Sequence, residues 1–114
     1  MTWYEAKSAC YNSSGHLVEV ETKEEHDLLV AENRRRGLHS THHLWIGLND
    51  LDQEGIWRWS HSGKEATFLP WASGQPNSAR GEQDCAGLDD EEWNDLWCYK
   101  NHYSSISYGA ICEV

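Results

Sequence analysis

At 114 residues, with 9 lysines and arginines against 19 acids and a formal charge of -10, the chain has the size of one domain. That acidity argues against nucleic acid and anionic membrane surfaces as partners and favours a bound cation. No apolar run approaches the roughly 20 residues that span a bilayer, so no membrane insertion is expected.

The four cysteines are Cys10, Cys85, Cys98 and Cys112. They form no C-x-x-C pair and have no histidine at zinc spacing, which points to two disulfides made in an oxidising compartment, with every pairing still open. A secreted or extracellular location follows. No secretory leader precedes Thr2-Trp3-Tyr4-Glu5, so secretion implies that one has been removed. Asn12-Ser13-Ser14 is an N-glycosylation acceptor pattern of the same tenor.

Thr2 and Glu5 form a capping box that starts a helix running to about Tyr11, with Trp3, Ala6 and Cys10 on its inner side. Asn12 to Gly15 break it, and Leu17-Val18-Glu19-Val20 reads as a short strand. A second helix starts at Thr22-Lys23-Glu24-Glu25, carries Arg34-Arg35-Arg36 in its last turn and stops at Gly37. The three arginines read as cations complementing the helix dipole on a solvated face. His39 to His43 read as a polar connector with surface histidines rather than a zinc site. His43-Leu44-Trp45-Ile46-Gly47-Leu48 is a core strand ending at Asn49-Asp50, and Ile56 to Ser60 alternates with Trp57 and Trp59 on one side, as an antiparallel strand with one buried face does. The tryptophans read as core filling rather than a sugar-stacking platform. Phe68, Leu69 and Trp71 anchor the next stretch, and Leu96–Cys98 and Gly109–Val114 are the last strand candidates. Two early helices, short antiparallel strands and long loops make an α+β fold.

Residues 74 to 98 look least like core. From Gln75 to Asp95 they offer two glutamines, two asparagines, four aspartates and three glutamates, which reads as a loop held for its oxygens, and hence for Ca2+.

The ordered motifs Trp3-x-Glu5-Ala6, Cys10, Leu17-Val18, Glu24-Glu25, Trp45-Ile46-Gly47-Leu48, Glu54-Gly55-x-Trp57-x-Trp59, Gln75-Pro76-Asn77, Asp84-Cys85, Trp93-Asn94-Asp95, Cys98 and Ile111-Cys112-Glu113 resemble the C-type lectin domain over essentially the whole length. The resemblance implies a single C-type lectin-like carbohydrate-recognition domain over residues 1–114, with disulfides Cys10–Cys112 and Cys85–Cys98. Family members usually carry a further strand before the Trp3 helix that pairs with the last strand; its lack here is expected to leave that last strand with an unpaired edge or a second molecule as partner. Tyr103 to Tyr108 are extra relative to compact members and read as a solvent-exposed insertion.

The resemblance also implies a ligand set. The principal calcium site would use Gln75, Asn77, Gln83, Asn94 and Asp95, with a cis proline at Pro76 turning its neighbours towards one point and two adjacent sugar hydroxyls completing the shell. Glu82 is the alternative to Gln83, and Asp90, Glu91 and Glu92 would add to the local negative field. Asp50, Glu54 and Asp84, with Ser78 in place of a fourth acid, would hold a second calcium; a looser third would pair Glu25 with Glu113 and the Glu19 carbonyl. Gln-Pro-Asn is a hybrid of the mannose-type Glu-Pro-Asn and the galactose-type Gln-Pro-Asp patterns, and without an aromatic soon after Asn77 it favours mannose, glucose or fucose. Gln83 stands where an acid is usual. That weakens calcium and keeps a second reading in play, a lectin-like domain with a weakened or lost calcium site that binds a protein or another non-sugar ligand. No Ser-His-acid order, reactive cysteine or phosphate-cradling glycine loop supports an enzyme.

Overall fold

The computed structural model describes residues 1–38, 42–76, 83–100 and 107–114, with backbone alone at His42 and Ser107. Helix α1 covers Trp3–Asn12, and both arms of its capping box form: the Glu5 N–H donates to Thr2 Oγ1 at 3.2 Å and the Thr2 N–H to Glu5 Oε1 at 2.8 Å. Trp3, Ala6 and Cys10 are its buried residues, as their spacing predicts. Helix α2 covers Lys23–Arg35, capped by Thr22 and stopped by Gly37 at φ 72°, a left-handed turn that glycine makes without strain. Here the Glu25 carboxylate reaches past the cap to the Glu21 N–H and the Thr22 hydroxyl.

Strand β2, His42–Asn49, is the centre of a five-stranded sheet. On one side it pairs with β4, Cys85–Asp89, which continues to β5, Glu92–Leu96. On the other its end takes β3, Arg58–Trp59, and its start takes β6, Ser107–Ala110. The β2–β6 pair is parallel, a departure from the antiparallel expectation. A separate two-stranded sheet joins β1, His16–Leu17, to β7, Cys112–Glu113. The strand expected over 17–20 is therefore only a short pairing with the chain's end, extended by the Val18 N–H donating to the Ile111 carbonyl.

Four other expectations change. Residues 74 to 98 are not all loop: residues 85–96 make a hairpin, and Ala86, Leu88 and Trp93 are buried in it. Small Gly87, whose added Cβ would sit 2.8 Å from Leu96 Cδ1, permits that packing. Asp90 and Glu91 lie at the hairpin turn. Asp90 accepts both Nε and an Nη of Arg34 at 2.7 and 2.8 Å, so Arg34 fastens α2 to the hairpin while Arg35 and Arg36 pair locally with Glu32. Tyr108 is buried, stacked on His43 with ring centroids 5.2 Å apart, so Ser107 and Tyr108 belong to the sheet rather than to an exposed insertion; 103–106 lie outside the described residues. His43 is correspondingly half-buried in β2, and burial pulls its pKa below the usual imidazole value; His39 to Thr41 lie outside the described residues.

The core has two parts. Under α1, Trp3, Cys10, Leu17, Trp45, Cys85, Leu96, Cys98 and Tyr108 pack together, and both expected disulfides form, Cys10–Cys112 and Cys85–Cys98, with Cα separations of 5.4 and 5.2 Å. Beyond the sheet a second cluster gathers on Trp93, whose ring meets Trp59, Phe68, Trp71 and His26 within 6.4 Å.

Candidate metal and carbohydrate site

Asp50, Glu54 and Asp84 come from loops distant in sequence, and backbone pairing brings them together. Asn49 and Cys85 face each other across β2 and β4, and the Asp50 N–H extends that ladder to the Asp84 carbonyl at 2.9 Å. The 50–55 loop then curls back: the Gly55 N–H donates to Asp50 Oδ2 at 2.9 Å, with Gly55 at φ 85°. This places one carboxylate oxygen of each of Asp50, Glu54 and Asp84 within 4.8 Å of the others.

The electrostatics of that cluster are unfavourable in the ion-free protein. Asp50 Oδ1 and Asp84 Oδ1 are buried with no hydrogen-bond partner among the described residues. Burial pushes the Asp50 carboxyl from an ordinary 3.8 up to about 7; the Gly55 N–H opposes the rise, and the Glu54 and Asp84 carboxylates add to it. Asp84 also moves upward, from burial first and then from the Glu54 and Asp95 charges, although Asp50 offsets part of the rise. All-oxygen donors, carboxylates already gathered, and two orphaned buried oxygens fit a hard divalent cation such as calcium.

A pH dependence follows. Because the folded, ion-free protein binds the Asp50 proton more tightly than the unfolded chain, its contribution to stability is complete below about pH 4 and lost as pH rises through about 7. In chelator the melting temperature is therefore expected to fall across that window, and Asp50→Asn to flatten the fall. A melting temperature equally pH-dependent in Asp50→Asn would locate the effect elsewhere.

The second group of oxygens sits on the adjoining edge. Residues 70–72 run beside Trp93, with the Trp93 N–H donating to the Pro70 carbonyl and the Ala72 N–H to the Trp93 carbonyl. Gly74 turns at φ 81°, and the Gln75 N–H closes onto the Ala72 carbonyl at 2.9 Å, which carries Gln75 towards the β5 residues that follow Trp93. The Gln75–Pro76 peptide is cis, as expected. Gln75 Oε1 is buried with no hydrogen-bond partner among the described residues. Asn94 is half-buried and Asp95 only 2% exposed on β5, opposite Gly87 and Ala86, and Gln83 is buried just before β4. The Asp95 charge is the smallest of the causes that move the Asp84 carboxyl, and Asp95 pairs with Ala86, two residues on from Asp84. Asn77, Ser78 and Glu82 lie outside the described residues.

The third grouping is Glu25, Glu113 and the Glu19 carbonyl. Glu25 is engaged at the start of α2, while Glu113 accepts the Glu19 N–H at 2.9 Å. Asp90 and Glu91 face Arg34, so the field they were expected to lend the calcium site is partly neutralised. Sequence reasoning missed Trp93 as the post around which residues 70–75 and 94–95 are arranged. Its place between the acidic run and Asn94-Asp95 was the available signal.

The chain matches the family model of the Lectin C-type domain over residues 1–113. It is similar to C-type lectin 37Db of Drosophila melanogaster, with 33% identity over 98% of this chain and 70% of that protein. It is also 33% identical to C-type lectin domain family 4 member M of Nomascus concolor, over 96% of this chain but 27% of that longer protein. Among solved structures, the cow CD23 C-type carbohydrate-recognition domain, crystallised in the presence of GlcNAc2Man3 oligosaccharide, superimposes with a TM-score of 0.78 at 32% identity, covering 98% of this chain and 78% of that one. Human lithostathine superimposes with a TM-score of 0.78 at 28% identity, covering 97% and 82%. With its two helices, two disulfides and gathered loop oxygens, this chain belongs to the C-type lectin domain family.

Proposed function

We propose that residues 1–114 are a calcium-dependent carbohydrate-recognition domain, secreted or displayed outside the cell, that binds a glycan and carries out no catalysis. The observation that carries this reading is the Asp50–Glu54–Asp84 cluster, with its orphaned buried oxygens, beside the edge that bears Gln75, Asn94 and Asp95. Family domains are generally carbohydrate-binding modules without enzymatic activity, and the cow CD23 domain crystallised with an oligosaccharide supports a glycan partner.

In this reading Asp50, Glu54 and Asp84 hold a structural calcium that stiffens the loops. Gln75, Asn77, Asn94 and Asp95, with Gln83 or Glu82, hold a second one. Calcium there supplies open coordination positions for two adjacent sugar hydroxyls. The amides of Gln75, Asn77 and Asn94 donate hydrogen bonds to those hydroxyls, and the Asp95 carboxylate accepts one. Mannose, glucose or fucose is favoured over galactose because no aromatic side chain follows closely on Asn77 to stack on a galactose face.

Calorimetric titration of calcium into chelator-stripped protein tests the reading, and Gln83→Glu sharpens it. That substitution adds a carboxylate at a buried position, so it is expected to lower the melting temperature in chelator and tighten calcium by about tenfold, roughly 1.4 kcal/mol. Unchanged calcium affinity would remove Gln83 from the ligand set. No calcium uptake by the parent protein at millimolar concentration would instead favour the non-sugar reading, in which the uncharged ligand set has lost the ion.

A further inference from the structure

The structure assigns a covalent modification to the far end of α1: we infer that Asn12 carries an N-linked glycan. Asn12 is the last residue of the helix, and Asn12, Ser13 and Ser14 are all exposed. The backbone there is fully occupied with ending the helix. The Ser13 N–H donates to Ala9 and Cys10 carbonyls, the Ser14 N–H to Tyr11 and the Gly15 N–H to Cys10. The side chains, by contrast, are left outward, and no hydrogen bond to the Asn12 amide is found among the described residues. Asn12-Ser13-Ser14 is the single such acceptor pattern in the sequence.

Two further features favour attachment. The Asn12 side chain is exposed, so a sugar there meets solvent rather than packed protein. The order of synthesis helps as well. Cys10 bonds Cys112, 102 residues downstream, so the acceptor stays unlocked until the last strand has emerged into the compartment where the disulfides form.

In the transfer, a lipid-linked diphospho-oligosaccharide is the donor. Asn12 Nδ2 forms a bond to the anomeric carbon, the bond from that carbon to the phosphate oxygen breaks, and the lipid diphosphate departs with the electron pair. One amide proton is lost to the transferase base. The inference shares the secretory location with the proposed function but requires neither calcium nor sugar binding.

Translating the chain behind a cleavable leader into microsomes tests it. The protease-protected product is expected to show one upward shift that peptide-N-glycosidase removes, leaving aspartate at position 12. Asn12→Gln should abolish the shift. Ser14→Gly should do the same, removing the hydroxyl while tolerating the φ of 65° at that position. A translocated, protected chain without the shift would overturn the inference, as would a shift that survives both substitutions. Calcium titration of the glycosylated protein keeps the two proposals apart, because it reports on the loops whatever the state of Asn12.

Discussion

Asp95→Asn is expected to weaken calcium at the principal site by more than about tenfold, at least roughly 1.4 kcal/mol, and with it to abolish retention on immobilised mannose. Among Gln75, Asn77, Gln83, Asn94 and Asp95, only Asp95 is ionisable, so the whole formal charge of that set rests on one side chain. It is only 2% exposed, on a strand whose neighbours Leu96 and Trp93 are buried, and asparagine has nearly its shape. The fold should therefore survive, with both disulfides formed and the far-ultraviolet circular dichroism unchanged. Asp90→Asn is the matched control. It removes the same unit of charge from the molecule, but from a hairpin turn facing Arg34, and should leave calcium affinity as it was. Equal losses in both variants would mean that the general field of the chain, not a ligand, had been measured.

Trp93→Ala should cost about 3–5 kcal/mol of stability, a large share of the roughly 5–15 kcal/mol that holds a domain together. Trp93 is fully buried, and its ring meets Trp59 at 5.8 Å, Phe68 at 5.9 Å and His26 at 5.9 Å, so truncation opens a cavity among rigid neighbours that cannot collapse into it. Its backbone also holds Pro70 and Ala72, and through them the approach to Gln75. At about 4 °C per kcal/mol for a domain near this size, the expected drop in melting temperature is roughly 12–20 °C, read from near-ultraviolet circular dichroism with disulfides intact. Trp93→Phe should lose much less. It keeps most of the apolar volume and removes a buried indole N–H that has no partner among the described residues. A drop below about 4 °C in Trp93→Ala would show that the cluster repacks and that Trp93 is not the post.

The sequence made some of this legible because the relevant physics is local. Thr2 with Glu5, Thr22 and Gly37 mark helix ends through side-chain and backbone chemistry within a few residues, and they appear where expected. Asp50, Glu54 and Asp84 were identifiable only by resemblance, since their meeting depends on the Asn49–Cys85 register, which no local pattern announces. The hairpin of β4 and β5 was hidden for a related reason. Ala86-Gly87-Leu88-Asp89 has little intrinsic strand preference, and the acids around its turn suggested a solvated loop; long-range pairing to β2 and the Arg34–Asp90 contact override that composition. The parallel β6 likewise depends on a partner more than 60 residues away in sequence, with Leu44 opposite Gly109.

The fold thus turns part of that stretch of oxygens into a hairpin tied to α2 and brings Asp84 to Asp50 and Glu54, while Gln75, Asn94 and Asp95 belong to the proposed second set of donors. The most direct measurement of whether those donors serve a sugar is retention on mannose-agarose and galactose-agarose, each run in calcium and again in chelator. Retention on mannose that exceeds retention on galactose and disappears with chelator is the predicted result. Retention that survives chelation, or its absence on both matrices with calcium bound, would contradict sugar recognition through calcium.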